Sequence, residues 1–134
     1  MNKKLSGREI DVDRIRTALS HGKVIDITTV GRQSGEPRRI EIVFHNIGGR
    51  IYVSGMPRPE PRAWLRNLEA NPGFTFHLKG ETRADLHATA RVIDDESERR
   101  AVLPAIARAW KRDDLEDMVR YSPLIEVTLT DLAA

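Results

Sequence analysis

Two glycines enclose an arginine and a serine in the segment Gly31-Arg32-Gln33-Ser34-Gly35. Glycine lets a backbone come close to a ligand, and successive N–H groups in such a turn can cradle an anion. Ser34 adds a hydroxyl donor and Arg32 a charged fork. Arg38 and Arg39 follow at the start of the next segment. The chemistry on offer is recognition of phosphate or carboxylate. A Gly-x-x-x-Gly turn also serves as a plain hairpin connection, and its spacing alone does not separate the two readings.

The charge distribution favours an anionic ligand. Between Arg32 and Arg66 stand seven arginines (Arg32, Arg38, Arg39, Arg50, Arg58, Arg62 and Arg66) against three acids (Glu36, Glu41 and Glu60). The chain as a whole carries a net charge of only +2. A basic stretch on a nearly neutral chain suits a small anion better than a long nucleic-acid track. Aromatic residues make up 5% of the chain, which leaves few platforms for stacking bases, so no nucleic-acid partner is expected. Of 22 basic residues 17 are arginine, the side chain suited to bidentate contacts.

Other chemistries find little support. There is no cysteine, which removes thiol nucleophiles, disulfides and thiolate metal sites. The four histidines, His21, His45, His77 and His87, show no metal-ligand spacing, so no metal is expected. Neither Ser34 nor Ser54 lies in a Gly-x-Ser-x-Gly elbow, and no catalytic triad is legible. Tyr52 and Tyr121 are the candidate proton donors, against a plain packing role for each. No catalytic residue can be assigned from the sequence.

The elements that must position the turn follow from periodicity. Residues 7–22 read as a short amphipathic helix through Ile10, Ile15, Ala18 and Leu19, with Gly22 as its stop. Strands are expected over Val24–Val30, around Ile40–Phe44 and at Ile51–Val53, the last two joined by the turn Asn46-Ile47-Gly48-Gly49. Three prolines in Pro57–Pro61 precede a helix carrying Trp64, Leu65 and Leu68 that ends near Asn71-Pro72. Alternation marks further strands at Phe74–Leu78, Leu86–Val92 and Ile125–Leu129. Helices starting at Asp94-Asp95, with a kink at Pro104, and at Asp113 lie between the last two. Six strands without βαβ alternation predict an α+β fold, an antiparallel barrel with flanking helices. The length suits a single domain over residues 1–134, with residues 1–22 as an N-terminal helical segment. With no membrane span and no signal-like apolar core, the expected location is the cytoplasm.

Three ordered motifs then carry a resemblance: Thr29–Arg38, Ile51-Tyr52-Val53-Ser54-Gly55, and Trp64-Leu65-Arg66-Asn67-Leu68-Glu69-Ala70-Asn71-Pro72. Together they span about residues 24–80 and resemble the deazaflavin (F420)-dependent nitroreductase family. The resemblance implies a six-stranded split β-barrel, FMN-binding-like, that binds coenzyme F420, whose phosphodiester and oligoglutamate tail are both acidic. By position, Arg32, Ser34, Gly35 and Arg38 would meet the phosphate region, with Arg39 beside them. Ser54 and Gly55 would lie by the ring or its side chain, and Trp64 and Asn67 would close the pocket.

Gln33 departs from the family pattern, which has a cation there, and Met56-Pro57-Arg58-Pro59 replaces a glycine-rich segment. Arg58 is the candidate to restore the lost charge. The implied activity is hydride transfer between the deazaflavin and a small electron-poor acceptor of quinone or nitro type. FMN is the alternative cofactor, and a non-catalytic F420, FMN or haem carrier or sensor the alternative function. Split barrels often pair as homodimers with the cofactor near the interface, and a homodimer is the expected assembly.

Overall fold

The computed structural model describes residues 12–132. Six antiparallel strands close into a barrel in the order β1-β2-β3-β6-β5-β4. They are β1 (Lys23–Val30), β2 (Pro37–Ile47), β3 (Arg50–Ser54), β4 (Gly73–Leu78), β5 (Ala84–Val92) and β6 (Leu124–Leu129). All six strands read from the sequence are present, and closure leaves no sheet edge for unwanted pairing. No helix among the described residues is long and apolar enough to cross a membrane.

The hairpin signals act as expected. Gly48 and Gly49, at φ of 62° and 91°, form the two-residue turn that pairs Ile47 with Arg50. Inward-facing residues fill the barrel: Ile25 and Ile27 from β1, Phe44 from β2, Val53 from β3, Phe76 from β4 and Ile125 from β6. The Phe44 and Phe76 rings meet edge to face at 5.4 Å between centroids.

Four helices flank the barrel: α1 (12–19), α2 (Ala63–Ala70), α3 (Glu96–Ala109) and α4 (Leu115–Tyr121). The predicted first helix begins at residue 7, and residues 7–11 lie outside the described residues. It ends at Leu19, earlier than expected, where Ser20 bonds back to Thr17 O. Gly22 has a different task from a helix stop: a Cβ there would lie 2.5 Å from Phe44 O, so the chain enters β1 against the backbone of β2. Helix α3 is capped by Asp95, whose carboxylate accepts from Glu98 N–H at 2.9 Å, and it continues past Pro104 to Ala109.

A second apolar cluster forms outside the barrel, where α3 and α4 cover β3 and β6. Tyr52, Ile93, Leu103, Ile106, Met118 and Leu124 belong to it. The run Ile51-Tyr52-Val53 is therefore buried on both faces, in contrast to the one wet face that alternation predicts for the other strands.

Candidate functional site

Strands β1 and β2 pair as far as Val30 and Pro37, and residues 31–36 close the hairpin. Within this turn Gly31 N–H donates to Glu36 O at 2.8 Å, and Gly35 N–H donates to Gly31 O at 2.9 Å. Glu36 N–H donates to Ser34 Oγ at 3.1 Å, and Arg32 N–H donates to Asn67 Oδ1 at 3.1 Å. Of the six amides from Gly31 to Glu36, only those of Gln33 and Ser34 are without a partner among the described residues. The expected cradle of successive free N–H groups is thus reduced to two, because the turn uses the rest to hold its own shape.

The two glycines serve different ends. Gly35 sits at φ +73°, in the left-handed region. A Cβ on Gly31 would lie 2.5 Å from Ser34 Oγ, so this position is kept bare for the hydroxyl folded over it. With its oxygen already accepting from Glu36, Ser34 keeps its hydroxyl hydrogen to donate.

The turn faces α2 across a cleft of about 350 Å³. Arg32, Gln33, Ser34 and Arg38 line it on the hairpin side, Ile40 and Thr29 at its base, and Ala63, Trp64 and Asn67 on the helix side. Helix α2 forms here because the proline-rich segment ends at Arg62 and good helix formers follow, until Pro72 stops it. Trp64 and Asn67, three apart, fall on the same helix face. Arg32 makes no ion pair among the described residues, and Arg38 comes no closer than 3.9 Å to Glu36, with both side chains exposed. Two uncommitted guanidinium groups at the mouth of a cleft with an aromatic wall suit a ligand that is anionic at one end and flat and apolar at the other.

The structure gathers five of the ten sequence-predicted site residues at this cleft: Arg32, Ser34, Arg38, Trp64 and Asn67. Gly35 shapes the turn behind it. Arg39 points to the opposite face of the hairpin, where its Nε lies 2.9 Å from Asp26 Oδ2. Asp26 also takes Lys79 Nζ at 2.7 Å, and these two cations, Lys79 first, hold its carboxyl below the usual range. Ser54 is buried and donates to Pro123 O at 2.6 Å. Gly55 packs on the Pro123 ring, where a Cβ would approach to 3.0 Å.

Arg58 lines a different and larger cleft of about 640 Å³, between the proline-rich segment and helices α3 and α4. Helix α2 divides the two clefts, with Trp64 on the smaller and Leu65 on the larger. Tyr121 lies in the larger cleft, whereas Tyr52 is enclosed in the outer core.

Sequence reasoning overlooks three features. Thr29 and Ile40 lie at the base of the cleft, and their signal was hidden because they continue the apolar faces of their strands. Arg99, only 9% exposed, donates from Nε to Val119 O at 2.8 Å and from Nη1 to Ile93 O at 2.9 Å. Its Nη2 reaches Met118 O at 3.1 Å and also Ser122 O. It has no carboxylate partner among these contacts, and burial pulls its pKa down.

The third feature is a hydroxyl–imidazole–carboxylate row across three adjacent strands. His77 Nε2 is 2.7 Å from Thr28 Oγ1, and His77 Nδ1 is 2.7 Å from Asp85 Oδ1. That contact holds the Asp85 carboxyl below its ordinary value. None of the three residues lines any of the three clefts at α2, α3 and α4 or at Trp110. Thr28, His77 and Asp85 all lie within paired stretches of their strands. The row fastens β1, β4 and β5.

A closed six-stranded antiparallel barrel with an arginine-bearing turn against a helix places the fold among the split barrels. The chain belongs to the F420H(2)-dependent quinone reductase family, whose model matches residues 4–117. Solved structures carry the same fold. A conserved hypothetical protein from Mycobacterium tuberculosis superposes with a TM-score of 0.68 at 15% identity, over 87% of this chain and 79% of its own. A protein described as an F420-H2 dependent reductase gives 0.57 at 22% identity, over 78% and 93%. HutZ, a haem storage protein from Vibrio cholerae, gives 0.64 at 17% identity, over 90% and 89%.

Family membership makes this chain an F420-dependent reductase with coenzyme F420 as its cofactor, the leading expectation from the sequence rather than the FMN alternative. The donor set at the smaller cleft fits that group: Arg32 and Arg38 are uncommitted cations, Ser34 a spare hydroxyl donor and Trp64 an apolar wall.

Proposed function

We propose that the cleft between the Gly31–Gly35 turn and α2 holds the cofactor, and that the enzyme reduces a small electron-poor acceptor of quinone or nitro type. The observation that carries this reading is what meets at this one cleft. Arg32 makes no ion pair among the described residues, and the one carboxylate contact of Arg38 is an exposed 3.9 Å approach to Glu36. Beside them stand the spare hydroxyl of Ser34 and the aromatic wall of Trp64.

Bound F420 supplies the hydride, and the protein's part is position, electrostatics and exclusion of water. Arg32 and Arg38 draw the acidic phosphodiester and tail to the mouth. The Ser34 hydroxyl and the amides of Gln33 and Ser34 add short-range donors. Gln33 keeps a donor amide where the family has a cation, so part of the charge attraction is replaced by neutral hydrogen bonding. Trp64 and Ile40 give the inner part of the cleft its apolar surface, which water leaves when a flat ring enters.

Titration of F420 fluorescence with purified protein tests the cofactor site. Loss of a charge-assisted hydrogen bond is worth about 1.5–3 kcal/mol, so Arg38→Ala and Arg32→Ala are each expected to weaken binding about tenfold or more. Both sites are exposed, and urea unfolding should move by less than about 0.5 kcal/mol. Unchanged affinity in both variants overturns the site. Oxidation of reduced F420 in the presence of a quinone and, separately, a nitroaromatic compound identifies the acceptor class. Tight cofactor binding with no turnover of either favours a carrier.

A further inference from the structure

We propose that Asn67 is a positioning residue that clamps the anion-binding turn onto helix α2 and acts on the cofactor only through that turn. This rests on the cofactor site proposed above and changes the role that Asn67's place in the cleft first implies. Asn67 is 4% exposed, and both ends of its side-chain amide are occupied within the protein. Its Oδ1 accepts the Arg32 N–H at 3.1 Å, and its Nδ2 donates to Thr29 Oγ1 at 3.1 Å. Thr29 is itself 1% exposed on β1, two residues before the turn begins.

One side chain from α2 therefore grips the hairpin at two points, in the strand and in the loop. The loop point is the backbone of the very residue whose guanidinium is uncommitted. The same helix carries Trp64 one turn earlier, so the aromatic wall and the basic wall of the cleft are tied into one unit. A preformed site pays less ordering entropy when a ligand enters, so loosening the clamp weakens binding without removing any ligand contact.

Thr29→Val separates this role from direct contact. The substitution keeps shape and burial at the base of the cleft but deletes the hydroxyl that takes Asn67 Nδ2, and it leaves the proposed cofactor contacts of Arg32, Ser34, Arg38 and Trp64 in place. Two readouts are compared in wild type, Thr29→Val, Thr29→Ser and Asn67→Leu. The first is hydrogen exchange of the Arg32 amide by NMR in protein without cofactor; the second is F420 affinity by fluorescence quenching.

The clamp predicts faster Arg32 exchange in Thr29→Val and in Asn67→Leu, and wild-type protection in Thr29→Ser, which retains the hydroxyl. It also predicts a threefold to tenfold loss of affinity in Thr29→Val, with unchanged F420 fluorescence in the saturated complex. Thr29→Val and Thr29→Ser decide the matter even if Asn67→Leu does not fold. Arg32 exchange that is the same in Thr29→Val as in wild type overturns the proposal, as does full affinity in Thr29→Val. Clamped Arg32 exchange together with no F420 binding by the wild-type protein would instead refute the cofactor site and leave the clamp standing.

Discussion

The space above Gly31 gives a sharp test of how the turn is built. Replacing Gly31 by alanine places a Cβ 2.5 Å from Ser34 Oγ and 3.3 Å from Glu36 O. The hydroxyl is the movable partner, so Ser34 must leave its rotamer and give up the bond from Glu36 N–H. An exposed hydrogen bond is worth about 0.5–1.5 kcal/mol, and Ser34→Ala alone is expected to cost an amount in that range. Gly31→Ala should cost more, about 1–3 kcal/mol, since the displaced rotamer adds about 0.5–1.5 kcal/mol to the lost bond. In the double variant the obstructing oxygen is gone, and its cost should return close to that of Ser34→Ala, with a small remainder from the Glu36 carbonyl. The cycle therefore predicts a coupling in the relieving direction nearly equal to the cost of Gly31→Ala itself, about 1–3 kcal/mol, measured by urea unfolding of all four proteins. F420 affinity should fall in both single variants, because each misplaces or removes the Ser34 donor. Additive stability changes would mean that Gly31 is present for some other reason, and the account of the turn would fail.

Two further outcomes follow from buried groups. Arg99→Met removes the guanidinium donors to the carbonyls of Ile93, Met118, Val119 and Ser122, of which Met118 O keeps the Ser122 N–H, and the loss of several buried hydrogen bonds should lower stability by about 3 kcal/mol; a change below about 1 kcal/mol in urea unfolding would show that water replaces the guanidinium at no great cost. His45 is 7% exposed, its Nε2 has no hydrogen-bond partner among the described residues, and burial pulls its pKa below the ordinary 6.5. The unfolded chain then binds the proton more readily than the fold does, so stability is lost as pH falls from about 6.5 through the lowered folded value. His45→Phe should flatten urea-unfolding stability between about pH 7 and 5, where the wild type has a slope of up to about 1.4 kcal/mol per pH unit from this one proton. An identical slope in the variant would remove His45 as its source.

Local periodicity was enough for the secondary structure. The six strands and the helices after Arg62 and Asp95 are written in alternation, capping residues and prolines, because these depend on neighbours a few residues away. The glycine turn proposed to meet the cofactor is legible for the same reason: Gly31, Arg32, Ser34, Gly35 and Arg38 lie within eight residues. Motif order carried the fold and the cofactor, and the family match bears out both. What local pattern could not give was the direction of side chains at the ends of elements. Arg38 and Arg39 are adjacent and alike, yet strand geometry sends one to the cleft and the other to Asp26, a partner 13 residues away. Ser54, Gly55 and Arg58 follow the motif in sequence, but the pairing of β3 with β6 commits the serine to Pro123 and turns the arginine to the far side of α2.

An antiparallel barrel with an arginine-rich glycine turn is written in the chain itself, since propensity, patterning and motif spacing are properties of short segments. Which donors are left for a ligand depends on how those segments pack. The amides of the turn, the fork of each arginine and the side chain of Asn67 can each be used once, and their partners come from strands and helices distant in the chain. Arg32 is available at the cleft because no carboxylate among the described residues pairs with it, and Arg38 because its one partner, Glu36, stands 3.9 Å away in solvent.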